Sequence, residues 1–301
     1  MTVKDVLQNG FSILKKNINN NIIDISTPYL DAVVLLSEAL NVSREKLYML
    51  FNDKVTDFGK EQYYEYIEKR LSGIPVSYIR TKKEFYGLDF YVDNRVLVPR
   101  PETESLVYQA LEIIKYKITE KGRLFLNVID VCTGSGCIAI SLVNQINIYK
   151  KENKSLFDNI IVSACDISKS AIDVFKMNCK ILLGQELPVF MSDLLSETEN
   201  SYDIIISNPP YLTSDNVKRM LEFAWPEPRI ALNGGENGLE LVFRLIEQAK
   251  TKIRKDGYLL LEADDNQMPE IKEKMQKEGY ADINIIKDLS GWNRVIYGSL
   301  S

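Results

Sequence analysis

Hydrophobic positions follow two different periods along this chain. In residues 1–75 they recur only at helical spacing. Val6, Gly10, Ile13 and Leu14 share one face, and Tyr64, Ile67 and Leu71 share another in a helix that ends at Gly73. Between them, Thr27-Pro28 supplies a cap and a first helical position. It opens a helix through Leu30, Val33, Val34 and Leu40 that stops near Asn41. The pattern changes over residues 76–100. Phe85-Tyr86-Gly87 and Phe90-Tyr91-Val92 predict a short β-hairpin, followed by the extended Val96-Leu97-Val98. This stretch reads as the linker between a small helical domain, 1–75, and a second domain, 101–301.

From Pro101 onward short apolar runs alternate with helical patterns. The predicted strands are Leu126–Val131, Ile160–Cys165, Val189–Met191, Asp203–Ser207, Tyr258–Glu262, Ile283–Ile286 and Arg294–Gly298. Alternation of this kind predicts an α/β domain with a seven-stranded, mainly parallel sheet. Only Lys287–Asn293 separates the last two runs, too short for a parallel crossover, so the last strand is expected to be antiparallel. The Asn- and Lys-rich stretch Asn144–Asn159 reads as an exposed loop.

Charge and composition narrow the chemistry. The 37 basic and 42 acidic residues leave a formal charge of -5, which disfavours holding bare nucleic acid by counterion release. Histidine is absent. That excludes Ser-His-Asp and Cys-His machinery and histidine-ligated zinc. The four cysteines, Cys132, Cys137, Cys165 and Cys179, form no C-x-x-C pair, so no metal site is expected. The N-terminus lacks the apolar core of a signal peptide, and no apolar run approaches the ~18 residues that span a bilayer. A cytoplasmic protein without membrane attachment is expected.

The run Val128-Ile129-Asp130-Val131 enters Cys132-Thr133-Gly134-Ser135-Gly136-Cys137, and a helical pattern follows from Ile138. A glycine-rich turn between strand and helix lets a ligand approach backbone N–H groups and the helix N-terminus. The spacing is not that of a dinucleotide fingerprint. Asp130, before the loop, suits a cofactor bearing an ammonium or sulfonium better than a pyrophosphate. The second strand leads to Asp166-Ile167, where a carboxylate can grip ribose hydroxyls. Ser192-Asp193-Leu194 follows the third, on the side where an adenine would lie. Three carboxylates after three successive strands describe the S-adenosylmethionine pocket of a Rossmann-like class I methyltransferase.

The fourth strand delivers Asn208-Pro209-Pro210-Tyr211. Methylating a planar amide or amino nitrogen requires its two N–H groups to be held while the nitrogen faces the methyl donor. The Asn208 side-chain oxygen and the Pro209 carbonyl can accept one hydrogen bond each. The prolines pre-aim them by fixing φ, and Tyr211 offers a face on which a flat group can stack.

At these residues the chain resembles the peptide chain release factor glutamine methyltransferases, the PrmC/HemK group. The likeness spans GIPVSYI at 73–79, EFYGLDFYVDNRVLVPRPETE at 84–104, DVCTGSGCIAIS at 130–141, SNPPYL at 207–212 and EPRIALNGGENGLE at 227–240. The resemblance implies methyl transfer to the glutamine of the Gly-Gly-Gln motif of class I release factors, which modulates translation termination. It places Cys132 to Gly136, Asp166, Leu194 and Asn208 against the cofactor and Asn208 to Tyr211 against the glutamine. It also puts Arg100, Glu102 and Thr103 at the cofactor mouth. S-adenosylhomocysteine would be the product and a monomer with no direct nucleic-acid contact the working form.

Three positions depart from the family pattern: Cys132 where glycine is commoner, Leu194 where some members have an aromatic residue, and Glu262-Ala263-Asp264 where E-x-G is usual. Two other readings share some of these features. A DNA or RNA amino-methyltransferase would use the same N-P-P-Y pocket but needs a basic binding surface. A non-catalytic release-factor or ribosome-binding protein would not need the motif residues intact.

Overall fold

The computed structural model describes residues 1–17, 26–152, 156–222, 225–288 and 290–300. The chain divides into two compact units, Met1–Lys82 with Lys218–Pro226, and Lys83–Val217 with Glu227–Ser301.

The first unit is helical: α1 (Val3–Asn17), α2 (Pro28–Ala39), α3 (Arg44–Met49), α4 (Asp57–Leu71) and α5 (Val76–Ile79). Val6, Leu14, Leu35, Leu36, Leu47, Tyr63 and Ile67 form its core. Pro28 does occupy the first turn of α2, but Thr27 makes no side-chain cap bond. Its hydroxyl instead donates to Asp31 Oδ1 at 3.1 Å, and Asp31 pairs with Arg70 Nε at 2.8 Å. Two short helices go beyond the periodic pattern. In α3 the Ser43 hydroxyl accepts from the Lys46 N–H, and in α5 four residues give a period nothing to repeat over.

The second unit begins with the hairpin β1 (Lys82–Phe85) and β2 (Leu88–Tyr91). The chain continues as α6 (Glu104–Thr119), β3 (Leu126–Val131), α7 (Cys137–Glu152), β4 (Ile160–Asp166), α8 (Lys169–Leu183), β5 (Val189–Met191) and β6 (Tyr202–Ser207). After α9 (Ser214–Glu222), whose residues from Lys218 on belong to the first unit, it ends with α10 (Glu240–Lys252), β7 (Ile253–Glu262), α11 (Met268–Lys277), β8 (Tyr280–Lys287) and β9 (Asn293–Leu300). The hairpin is tied to α8, where the Asn178 side chain accepts from the Tyr91 N–H and donates to its carbonyl. The seven long-range strands form one sheet in the order β5-β4-β3-β6-β7-β9-β8. Only β9 runs antiparallel, pairing Leu261 with Ile296 on one side and Ile285 with Ile296 on the other. The architecture is the mainly parallel α/β sheet with an antiparallel last strand that the sequence predicts.

All six residues of β6 are buried and β3 is nearly so, because helices cover both faces of a parallel sheet. Since β3, β4, β5 and β6 are mutually parallel, Val131, Asp166, Met191 and Ser207 end along one edge. The chain winds outward from β3 in both directions, so a crevice opens at the switch between β3 and β6.

The expected loop at Asn144–Asn159 is corrected in its first part. Helix α7 runs on to Glu152, with Ile146 buried and the Tyr149 ring against Phe157. An apolar residue at each turn outweighs the polar composition. Residues 153–155 of that stretch lie outside the described residues. Among the described residues no helix is long and apolar enough to cross a membrane.

Candidate active site

Above the strand ends lies a cavity of about 600 Å³, within the size range of small-molecule sites. Its walls include Cys132 and Gly134 of the glycine-rich loop, Asp166 and Ile167 after β4, Asp193 and Leu194 after β5, and Asn208 and Pro210 after β6. Sequence-predicted residues from four successive strand ends thus meet in one cavity.

Cys132 has a φ of 60°, the left-handed region that L side chains other than Asn and Asp seldom adopt. This is the physical reason glycine is the commoner residue there. Burial raises the pKa of the Cys132 thiol, which disfavours its thiolate. The Gly134 N–H donates to Asp166 Oδ2 at 2.9 Å, and Ser168 N–H donates to Asp166 Oδ1 at 2.9 Å. Asp166 therefore ties the loop to the tip of β4, and each oxygen keeps lone-pair capacity for a further donor. Burial raises its pKa, against the pull of these N–H groups. Asp193 Oδ2 pairs with Arg244 at 2.6 Å on the rim, where both are nearly half exposed.

Several predicted cofactor residues stand elsewhere. Asp130 is fully buried behind the loop, not on the cavity wall. Its Oδ2 accepts from the Thr133 hydroxyl at 2.6 Å and the Ala139 N–H at 3.2 Å, while Oδ1 has no hydrogen-bond partner. Burial pushes its pKa up to about 7, despite those two donors. Thr133, Ser135 and Gly136 also lie off the cavity wall. They shape the loop: Gly136 N–H bonds the Thr133 carbonyl, and the Ser135 carbonyl accepts from Asn178.

Arg100, Glu102 and Thr103 do not line the cavity either. Arg100 Nη2 lies 2.5 Å from the buried Glu227 Oε2, and Glu227 Oε1 accepts the Val98 N–H at 3.0 Å. The V-P-R-P-E-T-E and E-P-R blocks are thus two halves of one clasp, which holds the chain leading from Val96 and Leu97 on the cavity wall. The side chain of Thr103 is buried and accepts from Asn208 Nδ2 at 3.2 Å.

In the Asn208-Pro209-Pro210-Tyr211 turn, Asn208 and Pro210 reach the cavity, whereas Pro209 and Tyr211 do not. Tyr211 is half-buried against the core, and its hydroxyl donates to Glu262 Oε1 at 3.4 Å. Asn208 Oδ1 and the Pro209 carbonyl accept no hydrogen bond from the described residues. The turn rests on the segment 232–238. Leu212 N–H bonds the Leu232 carbonyl, and Gly234 N–H bonds the Leu212 carbonyl at 2.8 Å. A Cβ on Gly234 would come within 2.6 Å of the Pro210 carbonyl oxygen, and one on Gly238 within 2.3 Å of that of Tyr211. Only glycine lets these backbones touch.

Sequence reasoning missed Arg95, Arg229, Ile230 and Arg244 on the cavity wall. The E-P-R-I-A-L block was the available signal for Arg229 and Ile230. Nothing local marks Arg244, which lies on the buried-faced helix α10. Glu262 and Ala263 also gain a place. Ala263 is buried, and Asp264, at φ -71°, caps the turn before α11 together with Gln267. A left-handed glycine is not required there.

The fold and this crevice define a class I methyltransferase. The PrmC N-terminal domain family matches residues 5–80, and the methyltransferase small domain family matches residues 112–224. The chain is 33% identical over 303 residues to the release factor glutamine methyltransferase of Clostridium acetobutylicum, covering 98% of both chains. It is 35% identical to that of Leptospira interrogans, covering 98% of this chain and 97% of that one. With that of Rhodopirellula baltica it shares 34% identity, over 90% of this chain and 88% of that one. This chain belongs to the release factor glutamine methyltransferase family. It is an S-adenosylmethionine-dependent methyltransferase, and the cavity fits that cofactor. Asp166 keeps capacity for hydroxyl donors, Ile167 and Leu194 are apolar, and the space where a Gly134 Cβ would stand is empty for 4 Å.

Proposed function

We propose that this protein methylates the side-chain amide nitrogen of the glutamine in the Gly-Gly-Gln motif of class I peptide chain release factors, in the cytoplasm and as a monomer. One observation supports the amide above other acceptors. Asn208 Oδ1, on the cavity wall, and the Pro209 carbonyl, next to it in the turn but off that wall, accept no hydrogen bond from the described residues, and a primary amide brings two N–H groups.

S-adenosylmethionine, when bound, supplies an electrophilic methyl group on a sulfonium. Asp166 would hold ribose hydroxyls with its remaining lone pairs, Asp193 would reach the adenine, and Ile167 and Leu194 would enclose its faces. An amide nitrogen is a weak nucleophile because its lone pair is delocalised into the carbonyl. Asn208 Oδ1 and the Pro209 carbonyl draw on its two N–H bonds, which returns electron density to nitrogen as the bond to carbon forms. They would also restrict the orientation of the nitrogen toward the methyl donor. With no histidine in the chain, the released proton passes to a backbone carbonyl or to water. The helical unit at the N-terminus would recognise the body of the release factor.

Incubation with tritiated methyl donor tests the reading. Label should enter full-length release factor and not DNA or RNA. Label in nucleic acid would instead support the amino-methyltransferase alternative, which shares the N-P-P-Y turn.

A further inference from the structure

Asparagine presents an oxygen and an NH2 of nearly equal size, and only the oxygen can accept from a substrate N–H. Something must decide which of them faces the cavity. The neighbour of Asn208 on the other side is the Thr103 hydroxyl, 3.2 Å from Nδ2. A hydroxyl donates as readily as it accepts, so by itself it leaves the choice open. Glu262, at the C-terminal end of β7, is 1% exposed. Its Oε1 is taken by the Tyr211 hydroxyl, and its Oε2 is buried with no hydrogen-bond partner among the described residues. The Thr103 hydroxyl lies near enough to favour its charged form. A buried acceptor with nothing to accept demands an explanation, and Thr103 holds the available proton.

We propose that Glu262 takes the hydroxyl hydrogen of Thr103 and so makes Thr103 an obligate acceptor, which turns the Asn208 NH2 inward and its oxygen toward the substrate amide. Thr103 and Glu262 are positioning residues, acting through Asn208, and the Tyr211 hydroxyl ties the far end of the N-P-P-Y turn to the same carboxylate. The inference rests on the reading of Asn208 given above. A pH dependence follows. Glu262 is faced by Tyr211 from the turn after β6, Arg294 from β9, Glu102 beside Thr103, and Cys137 at the start of α7. Burial lifts its pKa to about 7, while Thr103, Arg294 and Tyr211 pull it down. Once protonated, Glu262 can donate to Thr103, whose hydrogen can then turn to Asn208 and favour the wrong amide orientation. Methyl transfer should slow as pH falls through neutral.

Single-turnover rates of the full chain with S-adenosylmethionine and release factor test this, alongside cofactor Kd and release-factor KM. Thr103→Val and Glu262→Gln should each slow transfer about tenfold or more, with Kd and KM changed less than about threefold. Thr103→Ser should restore most of the rate. The double variant should be no slower than the slower single one, because both act through one side chain. The acid limb of wild type should be missing in Glu262→Gln. A Thr103→Val rate within about twofold of wild type, or losses that multiply in the double variant, would overturn the relay. If Thr103→Val does not fold, the pH profile of Glu262→Gln decides: an acid limb unchanged from wild type rejects the relay. Asn208→Ala separates the two levels. Full turnover there removes the reading of Asn208 itself, whereas a slow Asn208→Ala beside a fast Thr103→Val and Glu262→Gln removes only the relay.

Discussion

Asp166 serves the loop and the cavity at once. Because Asp166 accepts the Gly134 and Ser168 N–H groups, Asp166→Ala leaves two backbone donors without partners, and on the proposed reading it also loses a charge-assisted contact to the cofactor. Cofactor affinity should fall about 10–100-fold, and unfolding free energy by about 1–3 kcal/mol. Calorimetric titration and urea denaturation measure the two separately. Unchanged affinity with lowered stability would leave Asp166 a loop pin only. Asp130 makes a different prediction. Its folded pKa of about 7 lies above the ordinary carboxylate value, so between about pH 4 and 7 the folded state keeps a proton that the unfolded state has lost. Stability from this group is present at low pH and is lost as pH rises through about 7. Glu262 adds to the same slope. Since the chain has no histidine, few other side chains titrate there. The ligand-free protein should melt at a higher temperature at pH 6 than at pH 8, and Asp130→Asn should reduce the difference. Equal melting temperatures for wild type would contradict the placement of Asp130 behind the loop.

Among the elements, the turn after β6 depends on the segment beneath it. Gly234→Ala would push its Cβ against the Pro210 carbonyl and shift the two acceptors. Turnover should drop about tenfold to a hundredfold, with cofactor affinity nearly kept, as expected for a misplacement of about 1 Å. Equal turnover would mean that the turn absorbs the methyl group elsewhere. This dependence shows where the sequence stops being readable. Strand centres such as Leu126–Val131 and Asp203–Ser207 are legible because buried parallel strands are largely apolar runs. Their ends are not: β7 starts at Ile253, ahead of the predicted Tyr258, and takes in the charged Arg254, Lys255 and Asp256. Cavity residues at strand ends announce themselves by motif and position, as Asp166, Asp193 and Asn208 do, whereas Arg244 on α10 does not. Residues that act from behind, such as Thr103, Glu227 and Glu262, depend on contacts distant in sequence, which no local pattern encodes. The resemblance puts Arg100 at the cofactor mouth, whereas its partner in the structure is Glu227.

For the whole molecule, the helical unit has its own core and the sheet unit another, so the two are separately packed. The net charge of -5 suits a protein substrate more than a nucleic-acid backbone. The central claim is that a primary amide is held by Asn208 and Pro209 and methylated on nitrogen. The most direct measurement is tandem mass spectrometry of release factor after reaction with S-adenosylmethionine, run beside Asn208→Ala. Wild type should make the Gly-Gly-Gln peptide heavier by one methylene, with fragments placing it on the glutamine side chain. Asn208→Ala should lose more than about a hundredfold in rate, corresponding to roughly 3 kcal/mol of transition-state stabilisation. A methyl group on any other residue, or equal rates for the two proteins, would contradict the account.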